Sequence, residues 1–166
     1  MKFDMPVASN SSDNFVKLAD KEKISGVLSG DFYTYRDHWT GARSEVCSGA
    51  GCAHCKAGLK AKARFRINIL VKNGEAFTAK ILNGGSTMYE QLRALNEDYP
   101  LESTVITIQR NGVGMDTSYN FLPAKDGAVT PKMKEALDKV SLLDLNHATG
   151  GDEKRPFGEK SENDIF

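Results

Sequence analysis

All three cysteines of the chain, Cys47, Cys52 and Cys55, fall within nine residues. They lie in Cys47-Ser-Gly-Ala-Gly-Cys52-Ala-His-Cys55, a stretch with no large apolar residue from which to build a core. Such a segment needs a local scaffold, and clustered thiols with a nearby histidine are the ligand types of a tetrahedral zinc site. An odd number of thiols argues against a disulfide framework and fits a reducing compartment. Cys52-x-x-Cys55 is a tight knuckle, with Cys47 one Gly-containing turn away. His38, nine residues before Cys47, is the preferred fourth ligand because it can close a loop around the ion. His54 is the alternative, but between two ligating neighbours its side chain would point away. Glu45 is the only nearby carboxylate with the reach of a general base, so the metal reads as structural rather than catalytic.

A basic stretch follows at once. Lys56, Lys60, Lys62, Arg64 and Arg66 come with no acid between Lys56 and Lys72. Ala63, Phe65, Ile67, Ile69 and Val71 alternate with Arg64, Arg66, Asn68, Leu70 and Lys72, the period of a half-buried strand. A solvated strand face is the ordinary explanation of such cations. The nearby aromatics Phe32, Tyr33, Tyr35 and Trp39 favour a ligand instead, because cations with stacking rings suit single-stranded nucleic acid. Lys62, Arg64, Arg66 and Lys72 are the candidate phosphate contacts, with Lys80 and Arg110 at the groove edge. Tyr33, Tyr35 and Trp39 are the stacking candidates, and one of Phe32 and Tyr33 is expected to face the core.

The remaining pattern defines the fold. Residues 1–21 read as a flexible arm, with Phe15 and Leu18 able to dock on the body. Ile24–Tyr35 is a first strand, bent or bulged at Gly26 and Gly30, and 36–58 is the irregular metal loop. A second strand runs to Asn73-Gly74, a hairpin signal, and a third spans Ala76–Leu82. Gly84-Gly85-Ser86 breaks the chain before a helix with a Thr87-x-x-Glu90 capping box, ended by Pro100. Thr104–Arg110 and Thr117–Leu122 are strands joined by a Gly-rich loop, the second stopped by Pro123; Tyr119 and Phe121 share its core-facing side. Thr130 and Pro131 begin a last helix over 130–146. The order β-β-β-α-β-β predicts a mainly β domain over 22–125, a five-stranded OB-fold barrel with the metal loop inserted between strands one and two.

The 166 residues carry 22 basic and 22 acidic side chains, unevenly spread. The final stretch, 148–166, is predicted to be a disordered tail with an acidic excess, and it ends Asp164-Ile165-Phe166. A terminal aromatic and carboxylate suit a partner pocket, so Asp164, Ile165 and Phe166 are the candidate partner-binding residues. The tail's charge could also compete for the protein's own cationic groove. No apolar run reaches membrane-spanning length and no signal-peptide pattern opens the chain, so a cytoplasmic location is expected.

Over residues 22–124 and the tail, the sequence resembles the single-stranded-DNA-binding proteins of tailed bacteriophages. The likeness rests on Asp31-Phe32-Tyr33-x-Tyr35-x-x-His38-Trp39, Cys47-x4-Cys52-x2-Cys55, Ala63-Arg-Phe-Arg-Ile-Asn68 and Gly112-x-Gly-x-Asp-Thr-x-Tyr119. The resemblance implies an OB-fold with a zinc subdomain of one His and three Cys, though the first cysteine gap is shorter here. It implies a non-enzymatic role in a bacterial host cell, coating single-stranded DNA during replication and recombination and recruiting replication or recombination proteins through the tail. An RNA-binding module of the same fold and a zinc-stabilised protein-interaction adaptor are the alternatives. No Ser/His/Asp arrangement or paired carboxylates suggest an enzyme.

Overall fold

The computed structural model of the chain describes residues 14–146. The strands are β1 (Lys23–Trp39), β2 (Ser44–Val46), β3 (Ala61–Asn73), β4 (Ala76–Gly85), β5 (Thr104–Asn111) and β6 (Ser118–Ala128). The helices are α1 (Ala53–Lys56), α2 (Ser86–Asp98) and α3 (Pro131–Asp138), with a 3-10 turn at Gly114–Asp116. One mixed-length sheet runs β4-β3-β1-β5-β6, with β2 folded back on β1. Every strand pair is antiparallel. Among the described residues no ladder joins β4 to β6, so the sheet is an open one rather than a closed barrel.

Strand alternation divides β3 as its sequence requires. Phe65, Ile67 and Ile69 enter the larger core with Leu28, Leu82, Ile106 and Ile108. α2 closes this core through Met88 and Leu92. Leu70, on the opposite face of β3, joins Val27, Phe77 and Val105 in a second apolar cluster, which α3 covers with Leu137 and Met133. Phe15 and Leu18 are buried as the sequence suggests, and Phe15 forms a parallel bridge to Ile81 on the outer edge of β4. Tyr119 and Phe121 both pack against the larger core.

Several boundaries differ from expectation. β1 runs on to Trp39, so His38 and Trp39 belong to a strand and not to an irregular loop. Its register slips between Ser29 and Tyr33, where Gly30 has φ +82°, a conformation open to glycine at little cost, while Gly26 pairs regularly with Val71. Gly84 and Gly85 complete β4, paired with Phe65 and Arg64, and α2 starts immediately after them. The N-cap position therefore falls on Gly85 and the Thr87–Glu90 box does not cap the helix. Pro123 does not stop β6: it pairs with Ile106 within this edge strand, beside a register shift, the positions where a sheet tolerates proline.

The last helix is shorter than the 130–146 reading. Thr130 caps it as expected, accepting from the Met133 amide at 3.2 Å, with Pro131 in the first turn. Beyond Asp138 the backbone leaves the helix and crosses to β3. Thr130→Ala should cost about 1 kcal/mol, seen as a lower urea midpoint with an unchanged slope.

Candidate metal centre and nucleic-acid interface

The cysteine segment folds over the far end of β1. After Trp39 a turn closed by the Thr40 amide on the Arg43 carbonyl (3.0 Å) returns the chain as β2. His38 pairs with Glu45 on β2 and with Ala61 on β3. The Cys47 amide donates to the Arg36 carbonyl at 2.8 Å, which anchors the first thiol beside β1. Gly49, at φ +92°, turns the chain back, and α1 then presents Cys52 and Cys55.

His38, Cys47, Cys52 and Cys55 converge so that their ligand atoms all lie within 4.8 Å of one another. The four residues could hold a metal ion. With Zn–S near ~2.3 Å and Zn–N near ~2.05 Å, a tetrahedron has edges of roughly 3.8 Å between sulfurs and roughly 3.5 Å from sulfur to nitrogen. Cys52 Sγ and Cys55 Sγ each stand 3.5 Å from His38 Nε2, and Cys47 Sγ stands 3.6 Å from Cys55 Sγ. Nδ1 of His38 donates to the Lys60 carbonyl at 3.1 Å in the tautomer that leaves Nε2 as a lone-pair ligand. His54 is not in the cluster: it pairs with Glu45, whose carboxyl is held below its usual range by Arg43 and by this histidine.

Proton energetics favour a cation here. Amides of Ser48 and Cys55 bond the Cys52 sulfur and hold its pKa down at about 5. Cys47 is also lowered, chiefly by the Gly49 amide. Hydrogen bonding to Cys47, together with burial, pushes Cys55 up to about 11. Burial opposes a charged His38, but hydrogen bonds to Cys47 and Cys52 outweigh it and leave the pKa raised. A divalent ion bound here would have to displace the remaining protons, so its affinity would rise with pH.

On the other face of β1, alternation after the bulge lines up Tyr33, Tyr35, Asp37 and Trp39. The first three lie opposite Arg66, Arg64 and Lys62 of β3. The rings of Tyr33 and Tyr35 are stacked, 5.6 Å apart and tilted by 22°. Phe32 is the one that turns inward, edge-on to Phe65 and Tyr89. The face is not the solvated cationic strip that alternation alone suggests. Arg64 and Arg66 are only 6% and 8% exposed. Arg64 donates to the Gly84 carbonyl and to Asn83, and lies 3.7 Å from Asp37, itself buried. Arg66 stacks on Tyr35 at 4.8 Å and donates to the Leu145 carbonyl at 3.1 Å.

The other expected contacts are scattered. Lys72 is on the same face of β3 but at its far end, beside α3 and Lys132. Lys80 pairs with Ile69 and so projects from the opposite side of the sheet. Arg110 donates to the carbonyls of Leu18 and Gly112 and to Thr117 Oγ1, fastening the N-terminal segment to the β5–β6 loop. Asp164, Ile165 and Phe166 lie outside the described residues. The sequence reading missed Asn68, Asp37 and Asn83, which organise this face. Asn68 carried a signal, a polar residue alternating within an apolar strand. Among the described residues no helix is long and apolar enough to cross a membrane. Comparison with protein-family models, curated proteins and solved structures finds no match to this chain.

Proposed function

We propose that the chain is a non-enzymatic, sequence-tolerant binder of single-stranded DNA, with zinc at the His38–Cys47–Cys52–Cys55 cluster. The observation that carries this reading is one shared sheet face: the half-buried Tyr33, Tyr35 and Trp39 on β1 and Lys62 on β3, with the buried Arg64 and Arg66 set among them. Stacked rings bind bases without regard to sequence, and flanking cations take phosphates. The strand path, with α2 between β4 and β5, agrees with an open OB-fold arrangement. In that arrangement the metal segment is the loop between the first two long strands, and residues 111–117 form the loop between the last two. Zinc there would fix the loop in a binding-ready shape and reduce the ordering cost of association. Coating and protecting DNA in phage replication or recombination, in the cytoplasm of a bacterial host, with the tail recruiting partner proteins, completes the proposal.

The burial of Arg64 and Arg66 favours a second reading, the zinc-stabilised protein-interaction adaptor. Binding of labelled oligo-dT, oligo-U and a duplex of equal length, across a salt series, separates them. The proposal expects oligo-dT to bind more tightly than duplex, with log K falling linearly against log salt. Equal or tighter binding of oligo-U would assign the surface to RNA. No salt-dependent binding of any of them would leave the adaptor.

A further inference from the structure

Asn68 is a buried polar residue on the outer face of β3, 3% exposed, and both ends of its carboxamide bond one residue far along the chain. Its Nδ2 donates to the Leu143 carbonyl at 3.1 Å, and the Leu143 amide donates to its Oδ1 at 2.8 Å. Two residues along β3, Arg66 donates to the Leu145 carbonyl at 3.1 Å. Residues 143 and 145 thus match residues 68 and 66 in reverse order, so the segment runs antiparallel to the strand before bending at Leu145 and Asn146. The segment has little apolar anchorage of its own. Leu142 is 46% exposed, Leu143 and Leu145 are half-buried, and Asp144 and Asn146 are exposed. Three side-chain-to-backbone hydrogen bonds tie it to β3.

Those bonds are of a kind that nucleic acid can replace. A carboxamide that grips an adjacent N–H and C=O grips the paired donor and acceptor on a base edge in the same way. A guanidinium on a carbonyl can equally hold a base carbonyl or a phosphate oxygen. Resting on the single-stranded-DNA reading, we infer that residues 141–146 are a displaceable strap filling a base-binding site made by Asn68 and Arg66. Single-stranded DNA enters by pushing the strap away. Asn68 then takes a base, Arg66 takes its phosphate or carbonyl, and the Tyr35 ring beneath Arg66 continues the stacking surface toward Tyr33. Asn68 and Arg66 hold backbone groups of the strap, the kind of contact a base edge or phosphate oxygen can replace.

Two measurements on the full, zinc-loaded chain test it. The first is hydrogen exchange at the Leu143 amide, with and without saturating oligo-dT. The amide is expected to be protected in the free protein and to exchange at least about tenfold faster in the complex, as for a local opening made dominant by ligand. The second is oligo-dT affinity of Leu143→Pro, which deletes the amide that Asn68 accepts and leaves every charge in place. If the strap is open in ~1–10% of molecules, this variant binds roughly 10–100-fold more tightly. Tight binding with Leu143 still protected, or an unchanged affinity in Leu143→Pro, would overturn the strap while leaving the DNA-binding reading intact. Absence of oligo-dT binding by both proteins would overturn that reading and the strap with it.

Discussion

Cys52→Ser is expected to release the metal and to lower the melting temperature by roughly 10 °C at saturating zinc. Cys52 is the buried thiol of the four-residue cluster, and it sits at the start of α1 where neighbouring amides converge on its sulfur. The segment from Cys47 to Leu59 contributes few buried side chains, so the ion would be its main cross-link to β1. Free zinc at about a thousand times its Kd adds ~4 kcal/mol to the folded state, and the variant would forfeit that. Metal content after gel filtration and a thermal melt with and without chelator measure both effects. Equal zinc in variant and parent, or melting curves that ignore the chelator, would refute the site.

Tyr33→Ala should weaken oligo-dT binding by about 1–3 kcal/mol, roughly 5–150-fold, with the salt slope unchanged. Lys62→Gln should do the reverse, with a modest loss of affinity and a slope shallower by ~0.7 for one phosphate given up. The contrast separates stacking from charge on one face of the two paired strands. Arg64 and Arg66 are poorer probes than their position in the sequence suggests. Arg64 lies beside the buried Asp37, and breaking such a pair typically costs ~3–5 kcal/mol of stability. A binding loss in Arg64→Ala would therefore be mixed with unfolding. A Tyr33→Ala variant that binds normally would move the stacking surface away from β1.

The parts legible in the sequence were those written as a local period or a dense cluster. The β3 alternation gave the inner and outer faces correctly, because Ile67 and Ile69 can only face a core. Four candidate ligands within eighteen residues marked the possible metal segment, and the preference for His38 over His54 matches its place in the cluster. What the period could not reveal was depth. Arg64 and Asn68 look solvated in a one-strand reading, yet Asn83 from β4, Asp37 from β1 and Leu143 from beyond α3 meet them there. Those partners are separated from β3 by long stretches of chain, and no local pattern encodes their arrival. The helix reading of 130–146 failed for the same reason. Met133, Leu137 and Val140 do pack on the second apolar cluster, but the backbone of Leu143 is taken by Asn68 instead of by the helix. β2 and α1 are too short for periodicity, and their geometry follows from the turns around the thiols.

Fluorescence of Trp39, the single tryptophan, tests the central claim most directly. It sits two residues past Asp37 on the Tyr33–Tyr35 side of β1 and next to His38, a candidate metal ligand. Zinc-loaded protein titrated with oligo-dT at low and high salt should show saturable quenching, with affinity falling steeply as salt rises. Saturable binding with unchanged Trp39 emission would place the ligand elsewhere on the molecule. No binding at low salt with zinc present would contradict the account.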